Sequence, residues 1–274
     1  MTVVYPGPEG SHSDAAAAAM FPATDRVPVS SFRGVAEAVA SAVGMHGVLP
    51  IESSLSGAVP ETHDLLNEYP LSIVAEAVFP VTHALLAPQG VPLADIRLIR
   101  SHPSALDQCR RFLHDLPQAR IISSATTADA ARETAEGGDS HAAAIASAEA
   151  ASRYGLVSLA DDVGDGPAYT RFVSIAPYTW LGAERSVART AFTFVTDHRP
   201  GALHAAIEPF ARARIDLVRL VSRPLPATPW SYRFDAVVAG HPLDPTVRKA
   251  LAELTQVTRS QWIVGIYEAA EEGR

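Results

Sequence analysis

The sequence predicts an α/β protein, because short buried strands are followed again and again by a polar turn and then a helix. The composition agrees with this fold class. Hydrophobic residues make up 47% of the chain and charged residues 19%, which is typical of a soluble globular enzyme with a sizeable core. At 274 residues the chain is long enough for one large domain and a small one.

The strand, turn and helix unit is clearest at the start of the chain. Residues 2–5 read as a short buried strand, Gly7 to Ser13 as a turn, and an Ala-rich helix follows from about Asp14. Alternation of this kind predicts a substantially parallel sheet. The same pattern recurs where Val48 to Ile51 precede Glu52, Ser53, Ser54 and Gly57, where Ile99 precedes Ser101, His102 and Pro103, and where Ile121 and Ile122 precede Ser123, Ser124, Thr126 and Thr127.

Ser and Thr residues stand where these helices are predicted to begin. Their side chains cap free backbone N–H groups at the positive end of a helix dipole. Ordinary capping is a sufficient explanation for any one of them. Four similar units in one chain nevertheless predict a shared site for a ligand that carries carboxylates, built without many lysines.

The pattern changes after Pro177 to Arg189, a stretch that breaks the periodicity and is predicted to be a linker. The order that follows is βαββαβ, the ferredoxin-like arrangement, and such a module beside a catalytic domain often senses a metabolite. Its predicted elements are a strand at Thr190 to Val195, a helix at Ala202 to Arg212, strands at Leu217 to Ser222 and Tyr232 to Ala239, a helix at Pro245 to Leu254 and a strand at Trp262 to Tyr267.

Charge and composition exclude several kinds of partner. The net charge of −8 argues against a nucleic-acid partner, which would require clustered Lys and Arg. No run of about 18 apolar residues predicts a membrane span, and no leader segment is evident, so we expect a cytoplasmic protein. Cys109 is the sole cysteine, which excludes a disulfide framework and predicts a small buried hydrophobe.

Motifs for cofactors and metals are missing from the sequence. There is no Walker loop, and Gly164 to Gly166 lacks the spacing of a dinucleotide fingerprint. No G-x-S-x-G elbow supports a serine hydrolase. The histidines are scattered without ligand spacing, at positions His12, His46, His63, His83, His102, His114 and His141. We therefore expect neither a cofactor nor a metal.

Five ordered blocks resemble the prephenate dehydratases that carry a C-terminal ACT domain, and the resemblance covers nearly the whole chain. Five blocks at family spacing are far more specific than one. The blocks are G-P-E-G-S-H-S (Gly7 to Ser13), P-I-E-S-S-L-S-G-A-V (Pro50 to Val59), S-H-P-S-A-L-D-Q-C (Ser101 to Cys109), A-A-I-A-S with A-S-R-Y-G-L (Ala143 to Ser147 and Ala151 to Leu156) and Y-T-R-F (Tyr169 to Phe172).

The resemblance implies a two-lobed catalytic region over residues 1–178, similar to a type II periplasmic binding protein, and an ACT regulatory domain over 188–270. It also implies feedback by phenylalanine and assembly into a homodimer or homotetramer. The substrate would be prephenate or a related cyclohexadienyl acid, bound in the cleft between the lobes. The residues that resemble the family's effector motifs are Gly201, Ala202, Leu203, Asp216, Ser222, Arg223 and Pro224.

By the same resemblance, Thr170 is the group that assists the departing ring hydroxyl. Phe172 fits two positions, a wall of the cleft or the hydrophobic core. Arg171 fits two roles, a bidentate clamp on a substrate carboxylate or a structural ion pair, because strand alternation after Thr170 could turn it away from the cleft. Glu52 is expected to be structural, and His12 and His102 to line the cleft. Hydroxyls at helix starts are expected to hold the substrate carboxylates, namely those of Ser11, Ser13, Ser53, Ser54 and Thr127.

The chain departs from the family pattern at several polar positions. Ser11 and His12 replace a threonine and an aromatic residue, Ser53 replaces an asparagine, and Ala168 replaces another asparagine. Lost hydrogen-bond donors can shift specificity considerably. In the effector motifs, Val221 stands where the family has glutamate, and Asp216 where asparagine is common.

Three functions remain open from the sequence. The first is the decarboxylating dehydration of prephenate to phenylpyruvate, which retention of Thr170 favours. The second is a relative in specialised metabolism that accepts a modified prephenate or decarboxylates without dehydration, which Ser53 and Ala168 favour. The third is a non-catalytic sensor that keeps the cleft and the regulatory domain.

Overall fold

The computed structural model describes residues 1–42, 44–177, 188–225 and 228–270. It confirms the α/β class. In chain order the elements are β1 (Thr2–Pro6), α1 (His12–Met20), β2 (Asp25–Val29), α2 (Phe32–Ser41), β3 (Met45–Ser53), β4 (Gly57–Ala58), α3 (Pro60–Glu68), β5 (Leu71–Pro80), β6 (Ala84–Ala87), a 3₁₀ turn (Leu93–Asp95), β7 (Leu98–Ser101), α4 (Pro103–Gln108), α5 (Arg110–His114), β8 (Arg120–Ser123), α6 (Thr127–Glu136), β9 (Ala142–Ala146), α7 (Ala148–Tyr154), β10 (Val157–Ala160), β11 (Tyr169–Pro177), β12 (Ala188–Val195), α8 (Ala202–Arg212), β13 (Leu217–Pro224), β14 (Tyr232–Ala239), α9 (Pro245–Val257) and β15 (Ser260–Glu268).

The first 177 residues form two lobes, each built on its own sheet. The first lobe has the strand order β5-β11-β3-β1-β2, with β4 beside β3, and the second has the order β10-β6-β9-β7-β8. The chain crosses between the lobes after β5 and returns through β11, which pairs antiparallel with both β3 and β5. The sheets are therefore mixed and not substantially parallel, because the parallel neighbours of β1 and β7 are combined with antiparallel return strands.

The C-terminal unit has the βαββαβ order that the sequence predicts, with its strands arranged β13-β14-β12-β15. Its sheet continues into the first lobe, because Gly265 of β15 pairs with Ile73 of β5. A Cβ atom at Gly265 would collide with the backbone carbonyl of Ile73, so only glycine allows the two strands to approach this closely.

The predicted linker lies largely outside the described residues, which resume at Ala188. Its two ends belong to strands: Pro177 ends β11 and Arg189 lies in β12. The predicted bounds of the linker therefore overlap a strand at each end. The division into residues 1–178 and 188–270 stays a prediction.

Hydrophobic clusters fill the first lobe, the second lobe and the C-terminal unit. Phe192, Phe194 and Phe210 belong to a cluster inside the C-terminal unit. Another cluster joins first-lobe side chains to C-terminal ones, Tyr267 among them, so the two parts share a packed junction. Cys109 is fully buried in the second lobe, as predicted, and burial raises the pKa of its thiol to about 12.

Across the described ranges, every helix is too short or too polar to span a membrane.

Candidate active site

A cavity of about 450 Å³ lies between the two lobes. The starts of α1 and α2 face it from the first lobe, and the starts of α4 and α6 face it from the second. Each helix begins there because a side chain caps it: Ser11, Ser31, His102 and Thr126 each accept a hydrogen bond from a backbone N–H of the first turn. The convergence of helix ends expected from the sequence is thus present in the cleft.

Most of the predicted site residues meet in this cavity. Those that line it are Ser11, Ser13, Ser53, Thr127, Thr170 and Phe172, together with His12 and His102. Two predicted residues, Ser54 and Arg171, do not line it.

Thr170 lies on β11 directly opposite Ser53 of β3. Its hydroxyl has no hydrogen-bond partner within the described part of the chain, so both its donor and its acceptor capacity remain available to a ligand. Phe172 follows on the same face and is 2% exposed, and its ring packs edge-on against Phe79 with 5.9 Å between centroids. Thr170 and the ring of Phe172 therefore both face the cavity from β11.

Arg171 points to the opposite face of the sheet, as strand alternation requires. Its Nε is 3.2 Å from Oε2 of Glu52, and its Nη1 is 2.8 Å from Oε1 of Glu76. Glu76 also pairs with Arg189 of β12 at 2.5 Å. The ion pair considered for Arg171 is thus present, and neither Arg171 nor its partner Glu52 lines the cavity; their roles stay predictions.

Ser54 is committed to the backbone of β11. Its hydroxyl accepts a hydrogen bond from the N–H of Tyr169 at 2.9 Å, and its own N–H donates to the carbonyl of Tyr169 at 2.9 Å. Ser54 therefore holds the residue before Thr170, and its predicted contact with substrate stays a prediction.

Ser53 and Ser54 do not begin a helix, contrary to the sequence prediction. Ser53 is the last residue of β3 and Ser54 the first residue of the turn that follows, and α3 starts later, at Pro60, without a side-chain cap. The hydroxyl of Ser53 accepts weak hydrogen bonds from the N–H groups of Leu55 and Ser56, at 3.3 and 3.4 Å. These side-chain bonds stabilise the turn and compete with helix formation at this point.

Capping leaves several cavity hydroxyls free to donate. The Ser11 oxygen accepts from the N–H of Asp14 at 3.2 Å, and that of Ser31 accepts from Gly34 at 3.0 Å, but each retains its O–H proton for a ligand. Thr126 differs, because its hydroxyl also donates to Asp129 at 2.8 Å. Capping and anion binding are therefore compatible functions of Ser11 and Ser31.

Sequence reasoning missed a hydrogen-bonded chain in the second lobe. His83 Nε2 and Gln108 Oε1 are 3.0 Å apart, and Gln108 donates to the hydroxyl of Ser104 at 3.2 Å. All three residues line the cavity, as do Ser30 and Ser31, which were also missed. The serine pair before the amphipathic stretch 32–41 was a usable capping signal, whereas His83 had no local signal.

No Asp, Glu, Lys or Arg is found among the described residues that line the cavity. The rings of His12 and His83 meet edge to face, with 5.8 Å between centroids. Burial lowers the pKa of both imidazoles, and His83 lowers the pKa of His12 further. Both shifts favour the neutral imidazole, and the described lining offers an anion its hydroxyls, amides and helix ends.

The predicted effector residues are divided in space. Ala202 and Leu203 line a cavity of about 160 Å³ at the start of α8, where Gly201 has a φ of +80°. Ser222 and Pro224 end the strand β13 beside this cavity, paired with Phe234 and Tyr232 of β14. Asp216 lies before the other end of β13 and does not line this cavity.

The remaining predicted effector residue, Arg223, turns to the catalytic region. Its guanidinium makes two hydrogen bonds to Asp64 of α3, at 3.0 and 2.5 Å.

Comparison with known proteins places the chain in a family. The family model described as prephenate dehydratase matches residues 3–179. The chain is 34% identical over 275 residues to arogenate dehydratase/prephenate dehydratase 2, chloroplastic, of Arabidopsis thaliana, covering 97% of this chain and 72% of that protein. Two further plant relatives are matched over 57% of their own length.

Two solved structures are similar to this chain over 98% of its length. Prephenate dehydratase of Arthrobacter aurescens, in complex with L-Phe, is 32% identical with a TM-score of 0.90, over 98% of this chain and 90% of that one. A structure described as GqqA, a novel type of quorum-quenching acylase, is 33% identical with a TM-score of 0.89, over 98% of both chains.

Proposed function

The chain belongs to the prephenate dehydratase family, and from this premise we propose that it converts prephenate to phenylpyruvate, carbon dioxide and water in phenylalanine biosynthesis. The ring carboxylate leaves as carbon dioxide, and its bonding electrons pass into the ring and expel the 4-hydroxyl. That oxygen takes up a proton and leaves as water. The enzyme is a carbon–oxygen lyase in this proposal.

The observation that carries the proposal is the unpartnered hydroxyl of Thr170 in the cleft, opposite Ser53. Hydroxide is a poor leaving group, so a donor aimed at the departing oxygen lowers the barrier most. A threonine has no pKa near neutrality and acts through positioning and electrostatic preorganisation. The hydrogen bond between Ser54 and Tyr169 holds the backbone next to Thr170, and the buried ring of Phe172 lies on the same face of the strand.

Ser11, Ser13 and Ser53, and Thr127 across the cleft, are proposed to hold the two substrate carboxylates. They lie on both lobes, so a dianion between them would bridge the lobes. Helix N-termini add partial positive charge without a desolvated lysine or arginine.

The lack of charged side chains in the described cavity lining favours prephenate over arogenate. Arogenate carries an ammonium group where prephenate carries a keto oxygen, and a buried ammonium requires a carboxylate or several acceptors. The described cavity lining contains no Asp or Glu. Hydroxyl donors at helix ends suit the keto acid better.

For the C-terminal unit we propose an ACT regulatory domain over residues 188–270, following a catalytic domain over 1–178. Its βαββαβ order and separate core support the assignment, and the cavity at Gly201 to Leu203 is the proposed phenylalanine site. The structural relative from Arthrobacter aurescens is described in complex with L-Phe. A homodimer or homotetramer in the cytoplasm completes the proposal.

An acylase reaction is less well supported. It would require an activated nucleophile, and within the described cavity lining no Ser or Thr hydroxyl is hydrogen-bonded to a histidine. The similarity to GqqA shows the shared fold and leaves this chemistry to experiment.

Product analysis tests the proposal. The full chain is mixed at neutral pH with prephenate, with arogenate and with an N-acyl amide, beside a blank without protein. We expect phenylpyruvate from prephenate at a kcat/KM above that for arogenate. Decarboxylation with the hydroxyl retained would identify a specialised relative, saturable binding without product a sensor, and amide hydrolysis an acylase; each would contradict the proposal. Calorimetry with phenylalanine tests the effector site, and absence of heat would reject it.

A further inference from the structure

Residues 52–64, here called the cleft segment, run from the end of β3 to the middle of α3. Ser53, Ser56 and Val59 of this segment line the cavity, and Ser53 lies opposite Thr170. Within the segment, β4 pairs with the end of β3, and Ser54 makes two hydrogen bonds with Tyr169 of β11. At its two ends, Glu52 and Asp64, ion pairs also connect the segment to the C-terminal unit.

The first end is held from the C-terminal unit by Arg219. Glu52 Oε2 is 3.8 Å from Nη1 of Arg219 and 3.2 Å from Nε of Arg171. The Arg219 side chain is only 7% exposed, so it contributes a desolvated positive charge to this end of the segment. Coulomb attraction is stronger in such surroundings than at a wet surface.

The second end is held by Arg223. Its Nε and Nη2 bind the two oxygens of Asp64 in a bidentate pair, and Arg233 adds a third contact at 3.2 Å. Partial burial alone would raise the pKa of Asp64, but the hydrogen bonds from Arg223 and Arg233 lower it below its usual value. Beside it, His63 Nδ1 is 3.2 Å from Oδ2 of Asp235 on β14.

Arg219 and Arg223, here called the arginine pair, both lie on strand β13. Residues four apart on a strand point to the same face and are about 13 Å apart. One face of one strand therefore contacts both ends of the cleft segment. Movement of β13 would reach the two ends together.

We propose that the arginine pair positions the cleft segment for substrate binding, an inference that rests on the proposed function of the cleft. Arg219 and Arg223 touch no substrate and act through Glu52 and Asp64. Because Arg223 belongs to the Ser222 to Pro224 motif beside the proposed effector cavity, a displacement there is passed to Ser53 and Val59. Coupling of this kind requires a physical element shared by both sites, and β13 is that element.

Hydrogen exchange of the full chain, followed by mass spectrometry, tests the arginine pair without substrate. In Arg219→Gln and in Asp64→Asn we expect peptides within 52–64 to exchange about three- to tenfold faster than in the parent protein. Peptides of β9 in the second lobe should be unchanged. Arg219→Lys and Asp64→Glu keep the charges and should recover most of the protection.

Steady-state kinetics with prephenate supply the second measurement. The same two variants should raise KM by about three- to tenfold and change kcat by less than about twofold, because the segment contacts ground state and transition state alike. The matched control is Arg212→Gln, which removes an exposed ion pair to Glu253 within the C-terminal unit. It should alter neither the exchange of 52–64 nor KM.

Unchanged exchange in both variants would overturn the inference, and so would faster exchange with an unchanged KM. If the parent protein fails to convert prephenate, the proposed function fails by itself, and the exchange measurement still decides whether the arginine pair holds the segment. A general loss of structure would appear as faster exchange in β9 as well, and would count against a specific positioning role.

Discussion

The two faces of strand β11 carry different kinds of side chain. Thr170 and Phe172 face a cavity lined by hydroxyl, imidazole and apolar groups. Arg171, between them, faces Glu52 and Glu76 at the junction with the C-terminal unit. Formal charge is thus concentrated behind the sheet, and the described cavity lining is left neutral.

The difference shows how one strand serves two purposes. Fixed dipoles in the cavity offer hydrogen bonds to an anion without a counter-charge that would hold the product as tightly as the substrate. Behind the sheet, ion pairs in a low-dielectric region fix the strand in register. Substitutions on the two faces are therefore expected to have different effects.

The largest effect is expected from Thr170→Ala. It should lower kcat by a factor on the order of 10²–10⁴, with a much smaller change in KM, because the hydroxyl acts most strongly as the carbon–oxygen bond breaks. Stability should hardly change, since the side chain has no partner in the described structure. Steady-state kinetics and thermal unfolding check both statements.

Thr170→Ser is the matched control, because it keeps the hydroxyl and should retain much of the rate. A kcat for Thr170→Ala equal to that of the parent protein would remove Thr170 from the mechanism.

On the opposite face, Arg171→Met should act on stability. Its removal leaves Glu76, whose side chain is 1% exposed, with Arg189 as its remaining arginine partner among the described contacts. We expect the free energy of unfolding to fall by about 1–3 kcal/mol, the usual cost of a poorly satisfied buried polar group. Urea denaturation measures this fall.

The kcat of the folded Arg171→Met protein should stay within a few-fold of the parent value. A loss of kcat comparable to that of Thr170→Ala would mean that Arg171 takes part in the chemistry, and the two faces would not be separate.

Much of this arrangement is predictable from the sequence, and the parts that are not share a cause. The motif blocks locate Thr170, Ser11 and Ser53. Because side chains alternate along a strand, the sequence also indicates that Arg171 could point away from the cleft. The chain from His83 through Gln108 to Ser104 joins residues from different elements, and no local pattern reports such convergence. The mixed sheets were missed for the same reason, because the position of β11 between β3 and β5 depends on a return from the other lobe.

The junction itself is tested by Gly265→Ala. The added methyl group would collide with the carbonyl of Ile73 and force β15 away from β5. We expect a loss of about 1–3 kcal/mol of stability, as for other overpacked sites, and faster hydrogen exchange in both strands. Gly166→Ala is the control, since a Cβ there meets no atom within 4 Å. Equal stability of the two variants would show that the strands separate without strain.

The smallest expected effect is a loss, at acid pH, of the stability that Asp64 and Asp235 give to the junction between the first lobe and the C-terminal unit. Burial raises the pKa of Asp64 and of Asp235, but arginine contacts, and for Asp235 also His63, outweigh it, so both values lie below normal in the folded state. Their stabilisation is therefore present above the ordinary aspartate pKa of about 3.9 and is lost as the pH falls through the lower folded values. The difference in Tm between the parent protein and Asp64→Asn should be constant above about pH 5 and should shrink below about pH 4. A difference in Tm that persists unchanged to pH 2.5 would show that the effect of Asp64→Asn is not electrostatic. The contrast between a charged junction and a neutral cleft would then lose its physical basis at Asp64.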